Sequence, residues 1–158
     1  MTNGTGRGGC PCGVASFRTD GAPLFRTLCH CTICQAYNGA PYGDVAVFRA
    51  RDVRLDDGAA IDWRAWKRPP IVRRGTCRAC GAPAVERIRA PVLPALTVIP
   101  TANLGEGVPV PPASMHIHYG TRAADVDDDL RKHEREAASQ LAWFVELVRS
   151  MRRARAAG

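Results

Sequence analysis

The sequence predicts a mainly β body followed by one amphipathic C-terminal α-helix. Three observations predict it. Among 158 residues there are 15 Gly and 12 Pro, with aromatics at only 6%, which suits short strands and turns better than a helical bundle. Short runs of alternating apolar and polar residues recur as far as Tyr119. From Asp125 onward no Gly or Pro occurs until Gly158.

Taken in order, residues 1–8 read as a flexible lead, and V-A-S-F-R at 14–18 alternates as a short strand does. A turn at Thr19–Pro23 precedes a second strand, Leu24–Leu28, that runs into a cysteine cluster. The composition of Q-A-Y-N-G-A-P-Y-G at 35–43 predicts a loop. Further strands are expected at 44–49, 61–66, 71–74, 84–89 and 96–99. Met115–Tyr119 is a late strand with His116 and His118 on one face. Beyond it, Leu141, Phe144, Val145, Val148 and Met151 follow helical spacing, within a helix of about 25 residues. The acidic run Asp125, Asp127, Asp128, Asp129 falls at its expected N-terminus and arginines at its C-terminus, as the helix dipole favours. The apolar stripe either packs on the chain's own sheet or forms a homodimer contact. The expected division is residues 1–124 as a zinc-binding β domain and 125–158 as helix and basic tail.

No apolar run approaches the roughly 20 residues that span a membrane. The start, M-T-N-G-T-G-R-G-G, lacks the apolar core of a signal peptide, so a cytoplasmic location is expected. Disulfides are disfavoured in that compartment, and clustered cysteines there point to metal or thiol chemistry. The net charge is +7, with Arg149, Arg152, Arg153 and Arg155 near the end. That tail has no interleaved aromatics to stack on bases, which argues against nucleic acid as a partner.

The seven cysteines fall into groups: Cys10 and Cys12; Cys29, Cys31 and Cys34; Cys77 and Cys80. C-R-A-C-G at 77–81 is a zinc-knuckle turn, and C-P-C at 10–12 sets two thiolates on one side of an extended segment. Together they supply four sulfurs, enough to close a tetrahedral structural zinc site. Cys29, Cys31 and Cys34 can converge on a second ion. They either leave an open fourth position, as catalytic zinc sites do, or are completed by His30, His116 or His118. His30 alternates with Cys29 and Cys31, so its ring should point away from such an ion. Soft thiolates favour zinc, and an open three-thiolate site favours an incoming thiol. Arg26, Arg73 and Arg74 precede the clusters and can offset negative charge. R-T-L-C-H-C-T-I-C-Q-A-Y-N-G-A-P and R-R-G-T-C-R-A-C-G-A-P echo each other weakly.

At these residues the chain resembles the glutathione-dependent formaldehyde-activating enzymes. The matching stretches are G-G-C-P-C-G at 8–13, C-H-C-T-I-C at 29–34, G-A-P at 39–41, R-R-G-T-C-R-A-C-G-A-P at 73–83 and P-A-S-M-H-I at 112–117. The resemblance implies a zinc-containing β-tent of folded-over antiparallel sheets and two zinc ions per chain. Cys10, Cys12, Cys77 and Cys80 would hold the structural ion; Cys29, Cys31 and Cys34 would hold the catalytic one. The implied reaction condenses glutathione, as substrate or co-substrate, with formaldehyde to S-hydroxymethylglutathione, classed as a carbon–sulfur lyase from its reverse. Arg74 and His116 are the candidate substrate contacts. After Ile117, relatives continue with tryptophan-rich segments, whereas H-Y-G-T-R-A-A-D-V and a long helix follow here. Two other readings are a non-enzymatic zinc-stabilised binding module and a biosynthetic lyase that cleaves glutathione conjugates.

Overall fold

A computed structural model describes residues 5–158. Ten strands in two sheets and two α-helices make the fold mainly β with a C-terminal helix. In chain order the elements are β1 (Thr5–Gly9), β2 (Ser16–Asp20), β3 (Phe25–Cys29), α1 (Thr32–Asn38), β4 (Gly43–Arg49), β5 (Val53–Leu55), β6 (Ile61–Ala65), β7 (Val72–Cys77), β8 (Pro83–Ile88), β9 (Leu96–Pro100), β10 (Ala113–Ile117) and α2 (Glu136–Ala156). The chain divides into two compact units, Met1–Pro23 with Ala46–Val110, and Leu24–Val45 with Pro111–Gly158.

In the first unit, β1, β2 and β5 form an antiparallel three-stranded sheet, and β4, β9, β8, β7 and β6 lie side by side in that order. Alternation decides which side chains go inward. In β2, Phe17 and Thr19 are buried while Arg18 and Asp20 are exposed. Phe17, Phe48, Ile61, Val85 and Ile99 form the core with Cys10 and Cys77 at its margin. Gly8 has no room for a side chain, because a Cβ would collide with the Asn103 carbonyl and the Phe17 ring.

In the second unit, β10 pairs in parallel with β3, and β3 lies beside β4. Side chains stitch β10 and β3 together. The Thr27 hydroxyl donates to the Met115 carbonyl (3.3 Å) and the Ser114 hydroxyl to the Arg26 carbonyl (2.8 Å). Arg26 makes two 2.7 Å bonds to Asp44, so its charge is met locally. Helix α2 packs on β3 and β10, with the Trp143 ring edge-on to Phe25 at 5.5 Å.

Several expectations are corrected. Residues 1–4 of the expected lead lie outside the described residues, and residues 5–8 belong to β1. The predicted loop at 35–43 contains most of α1. Strand β10 ends at Ile117, and His118 turns away with φ 52°, so the two histidines do not share a strand face. Helix α2 begins at Glu136, well past the acidic run. Residues 131–134 are instead held beside β10. The His116 N–H donates to the Arg131 carbonyl, the His133 N–H to the His116 carbonyl, and the Tyr119 N–H to the His133 carbonyl. That pairing takes up backbone groups a longer helix would need.

The docking face of α2 also differs. Ser139, Leu147 and Ser150 are its buried residues, whereas Leu141 and Phe144 are 64% and 45% exposed. Close approach favours the small serines. The Ser139 hydroxyl also accepts from the His118 N–H (2.7 Å) and donates to the His133 carbonyl (3.1 Å). Among the described residues no helix is long and apolar enough to cross a membrane.

Candidate metal centres

Two groups of cysteines converge, one in each unit. In the first unit the sulfurs of Cys10, Cys12, Cys77 and Cys80 all lie within 4.8 Å of one another. Cys10 to Cys12 is 3.5 Å and Cys12 to Cys77 is 3.7 Å. Four sulfurs at about 2.3 Å from a tetrahedral zinc are separated by about 3.8 Å, so the donor set and its spacing fit that ion. Two matching turns build the cluster. Gly13 (φ 79°) donates to the Cys10 carbonyl, and Gly81 (φ 71°) donates to the Cys77 carbonyl, each at 2.9 Å. Only glycine takes that conformation freely. The backbone N–H of Cys80, with that of Ala79 and the neighbouring thiols, pulls the Cys77 thiol down to about 6.

In the second unit the sulfurs of Cys29, Cys31 and Cys34 cluster within the same limit. Cys29 closes β3, Cys31 is the N-cap of α1, and Cys34 lies in its first turn. The Cys31 sulfur accepts the Cys34 N–H at 3.3 Å, which caps the helix with a sulfur of the cluster. Hydrogen bonds from Cys29 and Cys34 push the Cys31 thiol far down, and the bond to Cys31 pushes Cys29 up. The trio's soft sulfurs, two buried and one partly exposed, fit zinc as the quartet does. Among the described residues no histidine nitrogen or carboxylate joins either cluster.

The histidines are engaged elsewhere. His30 points away from the sulfurs and is 1% exposed; its Nε2 lies 2.8 Å from His116 Nδ1. His116, 0% exposed, places Nε2 2.8 Å from Asp128, and Asp128 is 2.7 Å from the Lys132 ammonium. The carboxylate accepts from His116 Nε2–H, so His116 Nδ1 accepts from His30 Nε2–H. Burial, then the neighbouring His116 and Arg122, lowers His30 to about 4, which keeps it neutral. Tyr42 and Tyr119 pack on its ring. The His30 carbonyl accepts from Gln35 (2.7 Å) and Thr121 (3.0 Å), and its N–H donates to the Ile117 carbonyl (2.9 Å). The backbone between Cys29 and Cys31 is thus fixed from both sides.

This arrangement uses both ring nitrogens of His116. Arg74 sits in the first unit with its guanidinium 3.0 Å from Glu86, both side chains nearly buried. Lys132 and Gln35 received no site role from the sequence, which placed Asp128 only in the acidic run and Tyr119 only at a strand end. Their partner His116 was singled out there, but nothing local to it announces an aspartate twelve residues on.

No curated protein matches the chain. A crystal structure of a Rhodobacter sphaeroides protein matches at 22% identity, with TM-score 0.51 over 65% of this chain and 90% of that one, a likeness of fold. The family model described as "Glutathione-dependent formaldehyde-activating enzyme" matches residues 5–121, spanning all seven cysteines and β10. The chain therefore belongs to the family of glutathione-dependent formaldehyde-activating enzymes.

Proposed function

We propose that the protein is a carbon–sulfur lyase acting on adducts of glutathione or a similar small thiol, as in S-hydroxymethylglutathione formation. One observation carries this reading. Four sulfurs converge in one cluster and only three in the other, with no further donor among the described residues. The first would be a closed structural site, the second an open one. A zinc ion in the open site would supply a Lewis acid and a fourth position that deprotonates an incoming thiol near neutral pH.

Cys29, Cys31 and Cys34 would be the ligands of that site, and Cys10, Cys12, Cys77 and Cys80 those of the structural one. In the reaction the substrate sulfur adds to the formaldehyde carbon. The C–S bond forms as the C=O π pair moves to oxygen, and that oxygen takes the proton the thiol gave up. The reverse breaks the C–S bond and returns the aldehyde. His116 receives a positioning role, holding His30 and so the loop that carries Cys29 and Cys31. Arg74, already met by Glu86, receives none.

The free thiols suit a reducing compartment such as the cytoplasm. The exposed Leu141 and Phe144 suit a homodimer through α2.

The test measures exchange between formaldehyde and S-hydroxymethylglutathione by NMR on zinc-loaded protein. Acceleration over the buffer rate, abolished in Cys34→Ser while one zinc stays bound, is expected. Acceleration that survives Cys34→Ser would refute the assignment. A protein that merely loses stability, with no thiol-dependent activity, would be the binding module.

A further inference from the structure

Between β10 and α2, within the second unit, runs a groove of about 380 Å³. Met115, Ala142 and Val145 form its apolar floor, and Arg131 and Arg149 stand on its sides. Glu146 also lines it, but that carboxylate is held by Arg153 at 2.7 Å and by the Ser150 hydroxyl at 3.1 Å. Neither arginine side chain has an ion-pair partner among the described residues. The groove therefore presents two unmatched guanidinium groups above an apolar floor. Guanidinium forks match carboxylates in geometry and charge.

The groove shares residues with the packed group around the three sulfurs. Met115 belongs to the packed group around Cys29 and Cys34, and Ala142 packs against that group. Met115 and Ala142 thus belong both to the groove lining and to the packed group that includes the trio. A tripeptide extends roughly 10 Å, so one molecule with a central thiol can reach both features.

We infer that this groove is the carboxylate-binding subsite for a small acidic thiol peptide, with Arg131 and Arg149 each taking a carboxylate. The inference rests on the reading of Cys29, Cys31 and Cys34 as the thiolate site. It goes beyond that reading because both arginines and the whole of α2 lie past residue 121, outside the family match. Recognition of the substrate's charged ends is then a property of this chain's own extension.

Calorimetry of the zinc-loaded full chain with S-methylglutathione tests it, since that probe has no thiol to offer a metal. The parent should bind. Affinity should fall about tenfold or more in Arg131→Gln/Arg149→Gln, as loss of charge-assisted hydrogen bonds predicts. The parent should lose as much for the probe with both carboxylates esterified, a comparison that needs no variant to fold. Arg51→Gln, on an exposed surface of the first unit, should match the parent. No binding by the parent, or equal affinity for the ester and in the double variant, overturns the subsite. Turnover is scored separately. Binding that follows these rules without any lyase activity would sink the proposed reaction and leave the subsite standing. Lyase activity on glutathione with equal affinities would do the reverse.

Discussion

Asp128 is where a surface charge reaches the buried histidines. Its carboxyl is held down to about 2, first by the Lys132 hydrogen bond and then by that of His116. A depressed carboxyl stabilises the fold above its unfolded value near 3.9, and loses that contribution as pH falls towards the folded value. Asp128→Asn should therefore be less stable than the parent at pH 6, with the gap narrowing between about pH 4 and 2. Urea melts of both proteins across that range check it; a gap that widens in acid would contradict the assignment. His116→Ala removes a fully buried ring and strands His30 Nε2 without a partner. A loss of about 2–4 kcal/mol is expected, read as a lower urea midpoint. Weaker zinc retention at Cys29, Cys31 and Cys34 should accompany it.

Among the elements, α1, which carries Cys34 and is capped by Cys31, was the least legible. Its seven residues are too few to show a hydrophobic period, and Q-A-Y-N-G-A-P reads as turn material. The usable signals were Cys31 as an unusual N-cap and Gly39 as the left-handed residue that ends the helix, φ 57°. Gly39→Ala should cost about 1 kcal/mol by that conformation alone, measurable as a drop in the urea midpoint. Strands were read more easily. Short runs bounded by turns located β4, β6, β8 and β9 closely; β6 alternates, whereas β9 is an apolar run buried throughout. For α2 the helix was legible, but the face that packs was not. Hydrophobicity picked Leu141, Phe144 and Val148. Docking selected Ser139 and Ser150 around Leu147, where size and hydrogen bonding outweigh apolar area. Leu141→Glu/Phe144→Glu should leave the helix folded yet convert a dimer to monomer in sedimentation equilibrium. A parent that is already monomeric at high concentration would remove the dimer contact.

For the whole molecule, the grouping of cysteines was the part of the site most fully legible. Ligand spacing is short-range information, and C-x-C and C-x-x-C state it directly. What sequence left unread is long-range: the histidine chain joins residues 30, 116, 128 and 132, and the groove joins β10 to a helix beyond the family match. The two clusters should fail differently. Cys77→Ser removes a candidate ligand buried in the first unit's core, so chelation and this substitution should both cost stability there. Cys31→Ser should spare that core and empty the other site.

The central claim is the open coordination position at Cys29, Cys31 and Cys34. A crystal structure of the zinc-loaded protein soaked with glutathione tests it most directly. The account predicts an ion on the trio with the glutathione sulfur as its fourth ligand, at about 2.3 Å. A histidine nitrogen already in that place, or a trio with no ion under zinc-replete, reducing conditions, would contradict it.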